Sequence, residues 1–334
     1  MFGLAKRALP EPRGFATCSG CNLCLLVCPV WRRTHDFALT PHGRAKALQF
    51  GADSADIAAS VESCTLCAAC EPVCPEEIDL VDMTLGLRGQ LVQPAVAQEL
   101  RDRMDAQAAR ALAPATSAAS VLLPGEALRA YPATLARAVD LLGGARGVAI
   151  AEDDGADIAL ALETGVPVAA ARLARFLQPL RGVTKLTVAD GLLLRHLRRW
   201  LPQAELASLG VALSSLARVR RSLRESDLYV IEPRAYHEDY QRLVGHYDAL
   251  RAERGCALNL DLQRIAIPAA ARSLPQRLGR EAADDGVQLR WLLQGRPLGR
   301  VVVESMDDGA AFAQAGGVEV VHLADLADDG TSTE

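Results

Sequence analysis

Residues 18–29 read CSGCNLCLLVCP and residues 64–75 read CTLCAACEPVCP, two copies of one pattern, Cys-x-x-Cys-x-x-Cys-x-x-x-Cys-Pro. Eight of the nine cysteines fall in these copies, and Cys256 stands alone. A disulfide framework suits a short secreted domain. This chain of 334 residues shows no apolar leader, because Glu11, Pro12, Arg13 and Gly14 follow Met1 to Pro10. Metal or redox use of the thiols is the better reading.

A cubane 4Fe-4S cluster has four iron corners, and a loop with a thiolate every third residue wraps three of them before the chain leaves. The fourth cysteine lies on the outgoing segment, and in two-cluster ferredoxins it ligates the other cluster. This pattern assigns one cluster to Cys18, Cys21, Cys24 and Cys74, and the other to Cys64, Cys67, Cys70 and Cys28. The alternatives are zinc or structural thiols. Structural zinc takes four ligands per ion, usually from two Cys-x-x-Cys pairs, and has no evident use for a third cysteine three residues on.

The 35 residues between Cys28 and Cys64 include Pro41 to Phe50 and Ser54 to Ser63, both read as short helices. A helical dicluster domain over residues 1–105 is therefore expected, with an Ala, Ser and Pro-rich linker over 106–120. From 121 to 330, apolar runs alternate with segments of helical period. They are Val121–Leu123, Val148–Ala151, Leu186–Ala189, Leu228–Ile231, Val301–Val303 and Val318–Leu323. The expected fold is thus α+β and multidomain, an α-helical dicluster ferredoxin domain followed by an α/β domain with a largely parallel sheet. A weak repeat relates Arg181–Leu216 to Gly299–Leu326, so the α/β domain reads as two repeated units. Gly143, Gly144 and Gly147 precede a strand, the wrong order for a dinucleotide fingerprint, and read as a loop entering it.

Asp and Glu outnumber Lys and Arg by 41 to 36, for a net charge of -5, which offers nucleic acid no electrostatic footprint. The most apolar long window, Ala156–Leu177, contains Asp157, Glu163, Arg172 and Arg175, so no transmembrane segment is expected. A cytoplasmic protein follows, with association at the inner face of the membrane arising through a partner.

The two cysteine motifs, the intervening Thr40-Pro41-His42-Gly43-Arg44 and the following α/β tandem resemble the C and D subunits of heterodisulfide reductase. The iron–sulfur subunits of glycolate oxidase and of anaerobic glycerol-3-phosphate dehydrogenase share this layout. The resemblance is specific in the first 80 residues and weaker after 120, where relatives carry a duplicated domain with a Cys-Cys-Gly motif. Here Pro124-Gly125-Glu126 stands where relatives have a Gly-Cys pair, and Asp153-Asp154-Gly155 stands at the first Cys-Cys-Gly. Tyr236-His237-Glu238-Asp239-Tyr240 is similar to a Tyr-His-Asp-Pro-Cys segment without its cysteine, and Tyr247-Asp248-Ala249-Leu250-Arg251 is similar to the stretch downstream. No second Cys-Cys-Gly follows. The resemblance implies a degenerate domain with no ligands for the family's noncubane clusters.

Other chemistry-bearing groups read more blandly. Glu152, Asp153, Asp154 and Asp157 form an acidic turn beside a strand end, better taken as solvated than as a cation site. His237 and His246 read singly as surface or core histidines, and Cys256 as an inert thiol. Arg195, Arg198, Arg199, Arg218, Arg220, Arg221 and Arg224 read as solvated helix faces, with an acidic partner or lipid as the alternative use.

The expectation is an electron-transfer subunit, not itself catalytic. Its two [4Fe-4S] clusters would pass electrons between a flavin or metal dehydrogenase partner and a quinone-reducing subunit or soluble carrier, with the α/β region as docking surface. The alternatives are a heterodisulfide-type reductase acting on a substrate in the C-terminal domain, or a redox-sensing scaffold.

Overall fold

The computed structural model describes residues 14–110, 118–282, 285–295 and 299–328. The expectation for Met1 to Pro10, the middle of the expected linker and the final residues of the expected α/β domain lie outside them. Up to Arg110 the chain is helical: α1 (Leu23–Val27), α2 (Pro29–Thr34), α3 (Pro41–Gln49), α4 (Ala58–Ser63), α5 (Leu80–Leu91) and α6 (Pro94–Ala109). Proline opens α2, α3 and α6, where its missing N–H costs nothing. Thr40 caps α3 by accepting from the Gly43 amide at 3.1 Å.

Two sequence expectations shift here. The helix read over Ser54–Ser63 begins only at Ala58, because Asp53 accepts from the amides of Ala55 and Asp56 and holds a turn in its place. Helix α6 runs on to Ala109, past the expected boundary at 105.

The remainder alternates strands and helices. First come β1 (Ser120–Leu123), α7 (Gly125–Arg129), α8 (Pro132–Leu141), α9 (Gly144–Gly147), β2 (Ala149–Ile150), α10 (Ala156–Thr164), α11 (Ala170–Leu177), β3 (Lys185–Val188), α12 (Gly191–Trp200) and β4 (Glu205–Ser208). After α13 (Leu209–Ser214) and α14 (Ala217–Ser222) come β5 (Asp227–Val230), α15 (Pro233–Glu238), α16 (Tyr240–Arg254), β6 (Ala257–Leu258), α17 (Leu274–Arg277), α18 (Gly286–Leu293), β7 (Arg300–Val303), α19 (Met306–Ala315) and β8 (Glu319–His322). They form two four-stranded parallel sheets, ordered β2-β1-β3-β4 and β6-β5-β7-β8. The glycines before β2 make the single turn α9 instead of an open loop.

The six apolar runs are six of these strands, and burial on both faces explains the continuous hydrophobicity of β1, β3, β5 and β7. Val121 and Leu123 pack with Ile158, Phe176, Leu186 and Leu194. Leu122 points the other way, into a cluster that also takes Tyr229 and Val302 from the second sheet. Leu228, Val230, Val301 and Val303 face a third cluster with Leu289 and Phe312. The missed strands β4 and β6 are sheet edges, and β6 has only two residues. Among the described residues no helix is long and apolar enough to cross a membrane.

The helical half and the first sheet meet backbone to backbone. A Cβ on Gly165 would stand 2.3 Å from the Gly89 nitrogen in α5, and one on Gly89 would stand 2.7 Å from the Gly165 carbonyl. Gly165 also has φ +76° as the C-cap of α10. Gly165→Ala should therefore destabilise the protein by about 1–3 kcal/mol, combining left-handed strain with overpacking. A thermal melt indistinguishable from wild type would show that this approach is looser than described.

Candidate functional site

The two cysteine loops share one backbone conformation. In the first, Gly20 (φ +84°) and Asn22 (φ +65°) flank Cys21; in the second, Leu66 (φ +52°) and Ala68 (φ +60°) flank Cys67. Left-handed residues thus fall two and four places after the first cysteine of each motif. That alternation curls the chain so that cysteines three apart face inward. For Leu66 and Ala68 it costs roughly 1–2 kcal/mol each, so the surroundings must hold it.

The loops meet. Cys28 lines one cavity with Cys64, Cys67 and Cys70, although it belongs to the first motif. Cys24 feels the charges of Cys28, Cys21 and Cys18 and also that of Cys74, from the second motif. Burial and then neighbouring thiolates push Cys24 up to about 12, and burial pushes Cys28 up to about 12. Burial likewise raises Cys67, and raises Cys70 well above the ordinary thiol value. Burial acts upward on Cys64 too, but the Arg44 and Arg88 guanidiniums reverse the balance and leave it lowered. A metal core that binds here must displace the protons of the other thiols.

Among the described residues no three His, Cys, Asp or Glu side chains converge to hold a single metal ion. The thiols of the second set surround a cavity instead. The backbone amides of Leu66 and Ala69 act on Cys64 and Cys67 respectively in the direction that favours the thiolate.

Three side chains from outside the second loop grip its carbonyls. Arg88 of α5 donates Nη2 to the Cys64 carbonyl and Nη1 to the Glu163 carbonyl, the latter at 2.7 Å. Arg234 of α15 donates Nη2 to the Thr65 carbonyl at 3.0 Å and forms a two-pronged ion pair with Glu163 at 2.8 and 3.0 Å. Burial alone would raise Glu163, but Arg234 and Arg277 hold it down at about 2. His237 places Nδ1 2.6 Å from the Cys67 carbonyl while its Nε2 accepts from the Ala266 amide at 3.1 Å. Burial lowers His237 to about 4, so it is neutral and carries its proton on Nδ1.

Apolar contacts follow the same route. Leu66, Ala68 and Val81 pack on Leu192 of α12, and Val27, Cys67 and Ala69 pack on Ile265. His237 is a core histidine as expected, and what the sequence did not show is that its hydrogen bond goes to the cysteine loop. No spacing in the sequence signals this, because 170 residues separate His237 from Cys67.

Within the arginine run Arg195 departs from the reading as a solvated face, while Arg199, Arg218, Arg221 and Arg224 are exposed as expected. Arg195 is buried and donates to Glu71 at 2.7 Å and Glu238 at 3.0 Å, with Asp82 at 3.4 Å. Arg199 pairs with Asp82 at 2.6 Å and Arg198 with Asp239 at 3.0 Å. The charges bind the α/β half to the helical half of the same chain.

The acidic turn is likewise tied. Arg172 bridges Asp153 and Asp157 at 2.7–2.8 Å, and Arg129 pairs with Asp154, so these carboxylates already have counter-ions. His246 shares a 2.8 Å hydrogen bond with Ser214. Cys256 is buried in the apolar core, and burial raises it to about 11, as suits an inert thiol.

The carboxyl ends of both sheets open on a cleft of about 380 Å³. Asp190 after β3, Glu232 after β5 and Glu304 after β7 line it, and so do Thr65 and Cys67 from the second loop. Parallel sheets bind ligands at such ends.

Residues 14–78 match a family described as a 4Fe-4S dicluster domain, a span holding all eight cysteines of the two motifs. The match supports 4Fe-4S binding in this region and an iron–sulfur electron-transfer role. No curated protein matches the chain, and no solved structure does.

Proposed function

We propose that this chain is the electron-transfer component of a larger oxidoreductase. In this reading it holds one [4Fe-4S] cluster on Cys18, Cys21, Cys24 and Cys74 and a second on Cys64, Cys67, Cys70 and Cys28. The observation that carries it is the exchange of fourth cysteines: Cys28 lines the cavity of the second motif, and Cys74 lies within the charge environment of Cys24. The clusters supply one-electron carriage. The protein orients the thiols, excludes water from the second set and sets backbone amides where they favour its thiolates.

In the same reading, residues 1–105 form the dicluster domain and 121–330 a degenerate α/β tandem of the Cys-Cys-Gly kind. The matching strand orders of the two sheets support descent from one repeated unit. The partners are a flavin or metal dehydrogenase on one side and a quinone-reducing subunit or soluble carrier on the other, with membrane association through a partner. The side of electron entry is the first loop. Cys21 is exposed there, and Leu23, Leu26, Phe37 and Phe50 leave apolar surface beside it. Arg195, Arg198 and Arg199 are engaged by Glu71, Asp82, Glu238 and Asp239, so a docking role for the arginine run falls to the exposed Arg218, Arg221 and Arg224.

A second reading makes the chain a reductase of a substrate held in the α/β half. It is favoured by one observation, that Cys67 reaches the cleft at the strand ends. Against it, Asp153 is locked to Arg172, Asp154 to Arg129, and the Tyr240 hydroxyl donates to the Gln263 carbonyl, so none stands as a thiolate substitute.

Protein prepared anaerobically should contain about eight iron and eight sulfide. Stoichiometric zinc in a colourless protein is the result that would sink the proposal. Cys74→Ser should remove the EPR signal of the cluster on Cys18, Cys21 and Cys24 and spare the other; the opposite loss would reverse the ligand exchange. The isolated whole chain should not turn over disulfides with reduced viologen, and steady turnover would promote the second reading.

A further inference from the structure

The charge around the two cysteine sets is unequal. The cavity lined by Cys28, Cys64, Cys67 and Cys70 is also lined by Arg44, which is 1% exposed. Arg44 donates Nη1 to the Ser60 carbonyl and hydroxyl, and its Nε has no hydrogen-bond partner. Arg88, equally buried, holds the Cys64 carbonyl, and Arg234 holds the Thr65 carbonyl. The nearby carboxylates are already engaged, Glu163 by Arg234 and Arg277 and Glu71 by Arg195. Arg234 is balanced by Glu163, so Arg44 and Arg88, whose hydrogen bonds go to carbonyls and a hydroxyl, supply the positive surplus around the second set.

The first set has a weaker counterpart. Lys46 Nζ donates to the Cys18 carbonyl at 3.0 Å, but it also bonds Gln49 and is only half-buried. Cys21 beside it is exposed, so water and salt screen that charge. Reduction adds one negative charge to a cluster, and buried positive charge stabilises the reduced form more than screened charge does.

We infer that Arg44 and Arg88 make the Cys28, Cys64, Cys67 and Cys70 set the higher-potential site, so that the exposed Cys18, Cys21, Cys24 and Cys74 set receives the electron and the set beside the cleft retains it. This rests on the two-cluster reading proposed above, and it adds a direction to it. Transfer between the sites moves one electron and no atoms: the first site is reoxidised as the second is reduced. The donor is a partner's redox centre in the assembled complex and dithionite in the test.

The test is an EPR-monitored redox titration of the whole, anaerobically prepared protein and of Arg44→Gln and Arg44→Lys, with Cys21→Ser used only to assign the signals. Wild type should show two midpoints, the higher belonging to the signal that survives in Cys21→Ser. Arg44→Gln should lower that midpoint alone. At a fixed potential, its reduced-to-oxidised ratio should fall about tenfold, equivalent to 59 mV for one electron. Arg44→Lys should restore most of the shift. Unchanged midpoints in Arg44→Gln, or movement only of the signal lost in Cys21→Ser, would overturn the inference.

If Arg44→Gln does not retain iron, wild type decides with one electron equivalent of dithionite. The signal retained in Cys21→Ser should appear first, and the other appearing first overturns the inference. An iron content too low for two clusters defeats the two-cluster reading instead, and analysis of the same preparation detects it.

Discussion

The second cysteine loop cannot hold its own shape, and much of the architecture answers that need. Leu66 and Ala68 both adopt left-handed backbone, a conformation non-glycine residues keep only where their surroundings over-determine it. Three carbonyls of the loop, on Cys64, Thr65 and Cys67, accept from Arg88, Arg234 and His237. Two of those donors sit on α15, in the second α/β sheet's connection, so the loop is stabilised by residues far along the chain. The helical half and the α/β half therefore act as one structural unit at this loop.

Buried charge is what makes that union specific. A guanidinium taken out of water is tolerable only with close, well-directed partners. Arg195 finds Glu71 and Glu238, Arg234 finds Glu163, and Arg300 pairs with Asp227 across neighbouring strands β7 and β5. Removing one partner would strand the other, so each pair pins one register of contact more strongly than it adds net stability. The Gly89–Gly165 approach complements these pairs, because it lets α5 come near enough for Arg88 to reach Glu163 and Cys64 together.

The α/β half holds its fold with a single cysteine, the buried Cys256. Its strands are held by apolar side chains on both faces, which do not depend on any metal. The carboxyl at the end of β7 shows how a strand end is satisfied here: Glu304 accepts from the Tyr229 and Tyr247 hydroxyls at 2.6 and 2.7 Å and from the Glu232 amide at 2.9 Å. Fold and site chemistry are separable in this half. In the helical half they are not, since the cysteine loops are themselves the core contacts.

The doubled cysteine spacing was legible because ligand spacing within a tight loop is a local property, and so was the run of buried strands, because burial on both faces forces continuous apolar sequence. Strands β4 and β6 were not, because β4 begins on the exposed Glu205 and is only partly covered, and β6 has only two residues. The start of α4 was misread because a single Asp53 side chain competed for the backbone amides. Arg195 was misread for a deeper reason: an arginine at helical spacing looks the same in sequence whether water or the carboxylates of Glu71, Asp82 and Glu238 surround it. Which cations reach the second loop, and that His237 touches Cys67 across 170 residues, depend on how two sheets and a helical domain close on one another. Long-range electrostatics is set by distance in space, and spacing along a chain carries no record of it.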